Sequence, residues 1–145
     1  MTRHRIALAL IVPLALADRS ASANKAPAGR YTVSNGTVYD TRTKLTWQQA
    51  SAPGSYTWAN AKTYCGGLSL SGSGWRLPTE KELLSIDDLL GPGTIDSTAF
   101  VSAVNNYWSS TPVAGSPGNA WGVEYQYGYT FNSPVTQTWG VRCVR

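Results

Sequence analysis

The chain has 145 residues, 42% of them hydrophobic, enough for one domain with a real core. Its formal charge of +4 rests partly on Arg3, Arg5 and Arg19, in a leader expected to be removed; the remainder is too weakly basic to suggest nucleic-acid binding. The single histidine, His4, lies in the same leader, so a Ser–His–Asp triad, a Cys–His dyad and an imidazole zinc site are all excluded from the mature chain.

The leader spans residues 1–23. Arg3, His4 and Arg5 form a basic start, Ile6 to Ala17 an apolar run, and Ala21-Ser22-Ala23 a small-residue cleavage site. The apolar run is too short to cross a bilayer as a helix. No cysteine follows the cleavage site to carry a lipid. The expectation is a protein without membrane insertion that begins near Asn24 and is secreted, held at the cell surface or periplasmic. Loss of Arg3, Arg5, Arg19 and Asp18 lowers the formal charge by two.

Residues 24–30 read as a short flexible leader to a domain over 31–145. Tyr31 to Ser34 and Thr37 to Asp40 flank Asn35-Gly36, the strongest short hairpin signal. Asn35-Gly36-Thr37 is also a glycosylation sequon, but the turn accounts for it without sugar. Leu45 to Gln48 reads as a further strand, and Ser51 to Ser55, with Pro53-Gly54, as a loop. A first helix is predicted over Thr57–Cys65, capped by Thr57 and stopped by Gly66-Gly67. The second opens with the capping box Thr79-x-x-Glu82 after Pro78 and ends at Gly91-Pro92; Leu83, Leu84, Ile86 and Leu90 supply its apolar stripe.

Beyond Asn105 the pattern turns to strands. From Trp121 to Phe131 each odd position is apolar, which predicts a hairpin bent near Tyr127-Gly128, with Trp121, Val123 and Tyr125 facing the core. Trp139 to Arg145 reads as a closing strand, with Arg142 opposite Trp139, Val141 and Cys143. Strands at both ends of two short helices define an α+β domain with an antiparallel sheet. Cys65 and Cys143, in an exported chain, are expected to pair and leave no thiol for catalysis.

These words also carry a resemblance. Asp40-Thr41, Leu45-Thr46-Trp47-Gln48, Trp58-Ala59, Tyr64-Cys65, Trp75-Arg76-Leu77-Pro78-Thr79, Ile95-Asp96, Tyr107-Trp108-Ser109-Ser110-Thr111, Ala120-Trp121 and Val141-Arg142-Cys143-Val144-Arg145 occur in the order seen in one family. Over about residues 38–145 the chain resembles the Lcl C-terminal domain family, named for the end domain of a Legionella collagen-like adhesin. The resemblance implies a C-type-lectin-like fold, in the branch that includes formylglycine-generating enzymes, with the terminal strands paired, two helices and a long loop region. Lys44 stands where the family usually has glycine, and Gly140 where it commonly has a bulky residue.

Each functional word also has a plain structural reading. Arg76 is expected to tie loop carbonyls or a carboxylate such as Asp96. The hydroxyls of Ser109, Ser110 and Thr111 are expected to satisfy backbone groups; no acidic residue there suggests calcium. Arg142 reads either as an ion pair at the surface or core edge, or as part of an anionic-ligand patch with Arg42 and Lys44. Six tryptophans and eight tyrosines exceed what a small core easily hides, and Tyr127 and Tyr129, at the turn, are the candidates for an exposed contact.

The expected function is therefore that of a secreted, non-catalytic binding module, carbohydrate-binding or adhesin-like, without metal or cofactor. Its partner would be a glycan, an anionic polysaccharide by the resemblance, or a surface protein. The contact residues would be Tyr127 and Tyr129, with Arg42, Lys44 and Arg142. Two alternatives are a display domain with variable loops over Tyr107 to Arg145 and an enzyme of the formylglycine-generating type. The latter needs active thiols beyond a structural bridge.

Overall fold

The computed structural model describes residues 26–87 and 95–145. The predicted signal peptide, His4, Leu90 and the Gly91-Pro92 stop lie outside them. The described residues form a mixed α+β unit with two three-stranded antiparallel sheets and two short helices.

The first sheet is a meander of β1 (Tyr31–Ser34), β2 (Thr37–Asp40) and β3 (Thr46–Gln48). Asn35 and Gly36 both adopt positive φ, 49° and 75°, as a two-residue hairpin requires. Asp40 builds the next turn. Its carboxylate accepts from the Arg42 backbone N–H at 2.9 Å and the Thr43 hydroxyl at 3.0 Å. Lys44 sits at φ = 64°, in the left-handed region that favours glycine. This explains the family's glycine preference there, and Lys44 occupies the position at some strain.

Helix α1 spans Trp58–Gly67, with Thr57 as N-cap. It runs through Gly66-Gly67, rather than stopping before them, because the chain turns only at Leu68, whose N–H donates to the Cys65 carbonyl. Helix α2 (Glu80–Ser85) has the predicted capping box in full but ends at Ser85, with Ile86 as C-cap, short of the Gly91-Pro92 stop expected from the sequence. Leu83 and Ile86 are buried, whereas Leu84 is exposed and does not belong to the core stripe.

The second sheet is β4 (Asn106–Pro112), β5 (Asn119–Glu124) and β6 (Tyr129–Pro134), with β5 central. Tyr107 pairs with Val123, and Trp108 with Gly122. Tyr107 and Val123 therefore share one face and enter a core with Val38, Trp47, Leu83 and Phe100. Trp108 and Ala120 take the opposite face and enter a second core with Ala61, Trp75, Leu77 and Val141. Both faces of β5 are covered. For this reason the even-numbered Glu124 is also buried, and the simple alternation read from the sequence is incomplete. Trp121, expected inside, is only half-buried. Gly122 has no room for a side chain, since a Cβ would lie 2.8 Å from the Tyr107 carbonyl oxygen.

The closing segment is a chain of single bridges rather than one strand. Trp139 pairs with Tyr56, Gly140 with Tyr107, and Val144 with both Trp47 and Arg76. The Arg145 carbonyl accepts from Thr46 and the Cys143 carbonyl from Gln48, so the C-terminal segment pairs with β3. Cys65 and Cys143 are bonded to each other, linking α1 to this segment. The segment is buried from Gly140 to Val144, with Arg142 included.

Residues 26–30 contact the domain at both ends. The Ala26 N–H donates to Asp96 at 2.9 Å. The Arg30 guanidinium pairs with buried Asp40 at 3.2 Å and also donates to the Ser85 carbonyl. Burial alone would raise the Asp40 carboxyl, but hydrogen bonds from Arg30, Arg42 and Thr43 outweigh it and hold the pKa below its ordinary value.

Candidate binding surface

The turn between β5 and β6 carries the two tyrosines. Tyr127 is 71% exposed and Tyr129 50%, unlike the other residues of the aromatic run. Tyr125, by contrast, turns inward, where its hydroxyl donates to the Leu83 carbonyl at 2.9 Å and burial raises its pKa well above the ordinary value. The turn is held from beneath by Glu124. This buried carboxylate accepts the backbone N–H groups of Gln126 (3.0 Å) and Tyr127 (2.8 Å). The tyrosines are therefore presented on a fixed support, which limits the entropy lost on contact.

A side-chain chain leads away from the turn. Gln126 donates to the Tyr127 hydroxyl at 3.1 Å and accepts from the Asn105 amide at 3.0 Å. Asn105 in turn lines a groove of about 430 Å³ with Ser55, Asn106, Thr138, Trp139 and Gly140. The Tyr56–Trp139 bridge brings Ser55 to Thr138 across the sequence. Trp139 is fixed by a bond from its indole N–H to Ser133 at 3.1 Å and by edge contact with Phe131, centroids 5.3 Å apart. Tyr129 and Phe131 alternate onto one face of β6, so Tyr129, Phe131 and Trp139 follow one another toward the groove.

The basic residues do not gather around this turn. Arg42 and Lys44 are exposed on the β2–β3 turn, which belongs to the other sheet. Arg142 is fully buried, so it is neither a surface ion pair nor a ligand contact. Its guanidinium donates to the carbonyls of Gln48 (2.8 Å), Gln49 and Val101 (3.0 Å) and to the Ser102 hydroxyl (2.8 Å). Burying the fork is tolerable because both terminal nitrogens meet oxygen atoms, although Nε has no hydrogen-bond partner, and the Phe100 ring lies 5.0 Å away.

Arg76 pairs with Glu82, at 2.8 and 2.6 Å, rather than with Asp96. Asp96 instead caps its own turn through Thr98 and Ala99 and holds Ala26. A cleft of about 420 Å³ lies beside Arg76, with Lys62 and Trp75 in its wall. Both cations there are engaged, Arg76 by Glu82 and Lys62 over the Trp58 ring at 3.5 Å.

Most of the tryptophan excess fastens loops. The indole N–H of Trp58 donates to Ser109, that of Trp75 to Leu70 and Gly72, and that of Trp108 to Tyr56. The Ser109 hydroxyl holds the Trp121 carbonyl and the Thr111 N–H, while Thr111 caps Glu80. The contact residues expected from the sequence, Tyr127 and Tyr129 with Arg42, Lys44 and Arg142, do not include the groove residues Ser55 and Trp139. Only the long-range bridge at Tyr56 reveals them. Among the described residues no cluster of three or more metal-ligating side chains occurs, and no helix is long and apolar enough to cross a membrane.

With two antiparallel sheets, a disulfide-linked closing segment and a supported aromatic turn, the unit belongs to the small disulfide-bonded α+β domains. Residues 36–145 match the model of the Lcl C-terminal domain, and the chain belongs to that family. A search of curated proteins gives no match.

Proposed function

We propose that this chain is an extracellular, non-catalytic binding module of adhesin type that takes a glycan on the β5–β6 turn and the adjoining groove. The observation that carries this reading is the pair Tyr127 and Tyr129, largely exposed yet held on a turn clamped by buried Glu124. Rigid exposed tyrosines offer large contact area at low entropic cost and suit the apolar faces of sugar rings. Membership of the Lcl C-terminal domain family is consistent with such a module. The non-catalytic reading is supported by the bonding of both cysteines to each other, which leaves no thiol for chemistry of the formylglycine-generating type. A C-type-lectin-like fold is supported by the two antiparallel sheets and two short helices, although the C-terminal segment pairs with β3 and not, as the resemblance implied, with the first strand, which pairs with β2.

The test is a glycan array probed with the oxidised chain, beside its Tyr127→Ala/Tyr129→Ala double variant. Binding by the parent and its loss in a folded variant support the reading. No binding to any glycan overturns it.

A further inference from the structure

We infer that the groove beside the tyrosine turn receives an uncharged hexopyranose unit, making the preferred ligand a neutral glycan rather than a sulfated or carboxylated one. This rests on the binding-module reading above and specifies its ligand.

The chemistry of the lining carries the inference. Ser55, Asn105, Asn106 and Thr138, with the apolar Val104 and Trp139, surround Gly140, and no charged side chain lines the groove. An anionic group seated there would leave water without a charged partner, an unfavourable exchange. Hydroxyl groups on a sugar ring each donate and accept, and amides and hydroxyls answer in both senses. The groove's own groups are available for this. The hydroxyls of Ser55 and Thr138 and the side-chain amide of Asn106 make no hydrogen bond to a described residue, whereas those of Ser109 and Thr111 are committed to holding loops. Asn105 spends one amide proton on Gln126, and its side-chain carbonyl oxygen accepts no hydrogen bond from a described residue.

Shape agrees with the chemistry. At about 430 Å³ the groove falls within the usual range for small-ligand sites. Gly140 lets the closing segment pack tightly against Val104 and Asn106, since a Cβ there would collide with the Val104 side chain and lie 2.8 Å from the Asn106 carbonyl oxygen. Trp139 supplies an apolar wall already fixed by Ser133 and Phe131. The Asn105–Gln126–Tyr127 chain joins this pocket to the exposed tyrosines, so one oligosaccharide can occupy both. Of the exposed cations without an ion pair or ring contact, Arg42 and Lys44 are on the other sheet and Lys81 is on α2.

The deciding experiment titrates the full oxidised chain with neutral oligosaccharides (glucan, mannan and galactan series) and with heparin and chondroitin sulfate. A neutral series should bind, with affinity changing by less than about twofold between ~0.05 and ~0.5 M NaCl. Thr138→Val should weaken it about tenfold without lowering the melting temperature, and Asn106→Asp should weaken it too while lowering the melting temperature, because it sets a second carboxylate opposite Glu124. Thr138 is exposed on a loop, so it carries the test should the β4 variant fail to fold. Binding of the sulfated chains alone, with steep salt dependence, overturns the inference. So does unchanged neutral binding by Thr138→Val while Tyr127→Ala/Tyr129→Ala abolishes it. In both cases the binding-module reading survives. Absence of binding to every probe removes that reading and the inference with it.

Discussion

Arg142 donates a hydrogen bond to the carbonyl oxygen of Gln48 at 2.8 Å across 94 residues of sequence. The same guanidinium reaches Val101 and Ser102, so one side chain joins the end of β3, the loop before β4 and the closing segment. Replacing it with methionine keeps the stem but strands several buried carbonyls. The expected loss is about 3–4 kcal/mol, read as a shifted denaturant midpoint. Lysine should rescue only partly, because an ammonium cannot reproduce the fork. A variant as stable as the parent would contradict this role.

The Cys65–Cys143 bridge closes a span of 78 residues. Its removal in a Cys65→Ala/Cys143→Ala chain should cost up to roughly 4–5 kcal/mol by loop-closure entropy. Native material should be about 2 Da lighter than reduced material in mass spectrometry, the two hydrogens of one bridge. Two alkylatable thiols in untreated protein would refute the pairing.

Lys44 holds a left-handed backbone at φ = 64°. Lys44→Gly should relieve that strain and raise stability by up to about 1 kcal/mol. Because Lys44 lies away from the tyrosine turn, neutral-glycan binding should not change. A drop in melting temperature would mean that the side chain stabilises the turn more than the strain costs.

Acid should weaken the fold through Asp40, Asp96 and Glu82. All three carboxyls are held below their ordinary pKa. For Glu82 the Arg76 hydrogen bond is the main cause; for Asp40 and Asp96 hydrogen bonds overcome the opposing effect of burial. The stability they contribute is complete above the unfolded-state value near ~4 and is lost as pH falls through the lower folded-state values. Unfolding free energy should be flat near neutrality and decline in the acid range. Asp40→Asn should lower the plateau and flatten the decline; an unchanged slope would exclude Asp40 as a contributor.

Tyr127→Ala/Tyr129→Ala should leave stability within about 0.5 kcal/mol of the parent, as exposed residues bury little area. Unfolding of the double variant would place both tyrosines in the core and remove the proposed contact surface.

Local signals determined much of this protein from sequence alone. Asn35-Gly36 specifies the first hairpin through positive φ at two successive residues, and Thr79 with Glu82 specifies the start of α2 through a reciprocal cap. Both depend on backbone chemistry within a few residues. The exposed Tyr127-Tyr129 turn was legible for the same reason, from Gly128 inside the alternating run, which takes positive φ at the turn. Tertiary structure alone decided the fates of Arg142, Glu124 and Trp139. A charged residue opposite an apolar stripe reads as solvent-facing, but the closing segment is covered on both sides, and Arg142 is buried where distant carbonyls converge. Glu124 reads as the polar face of a strand until its carboxylate is seen beneath the turn. Ser55 and Trp139 join one groove only because Tyr56 bridges Trp139. Periodicity reports one element at a time, and these positions are fixed by elements that meet only after the chain has folded.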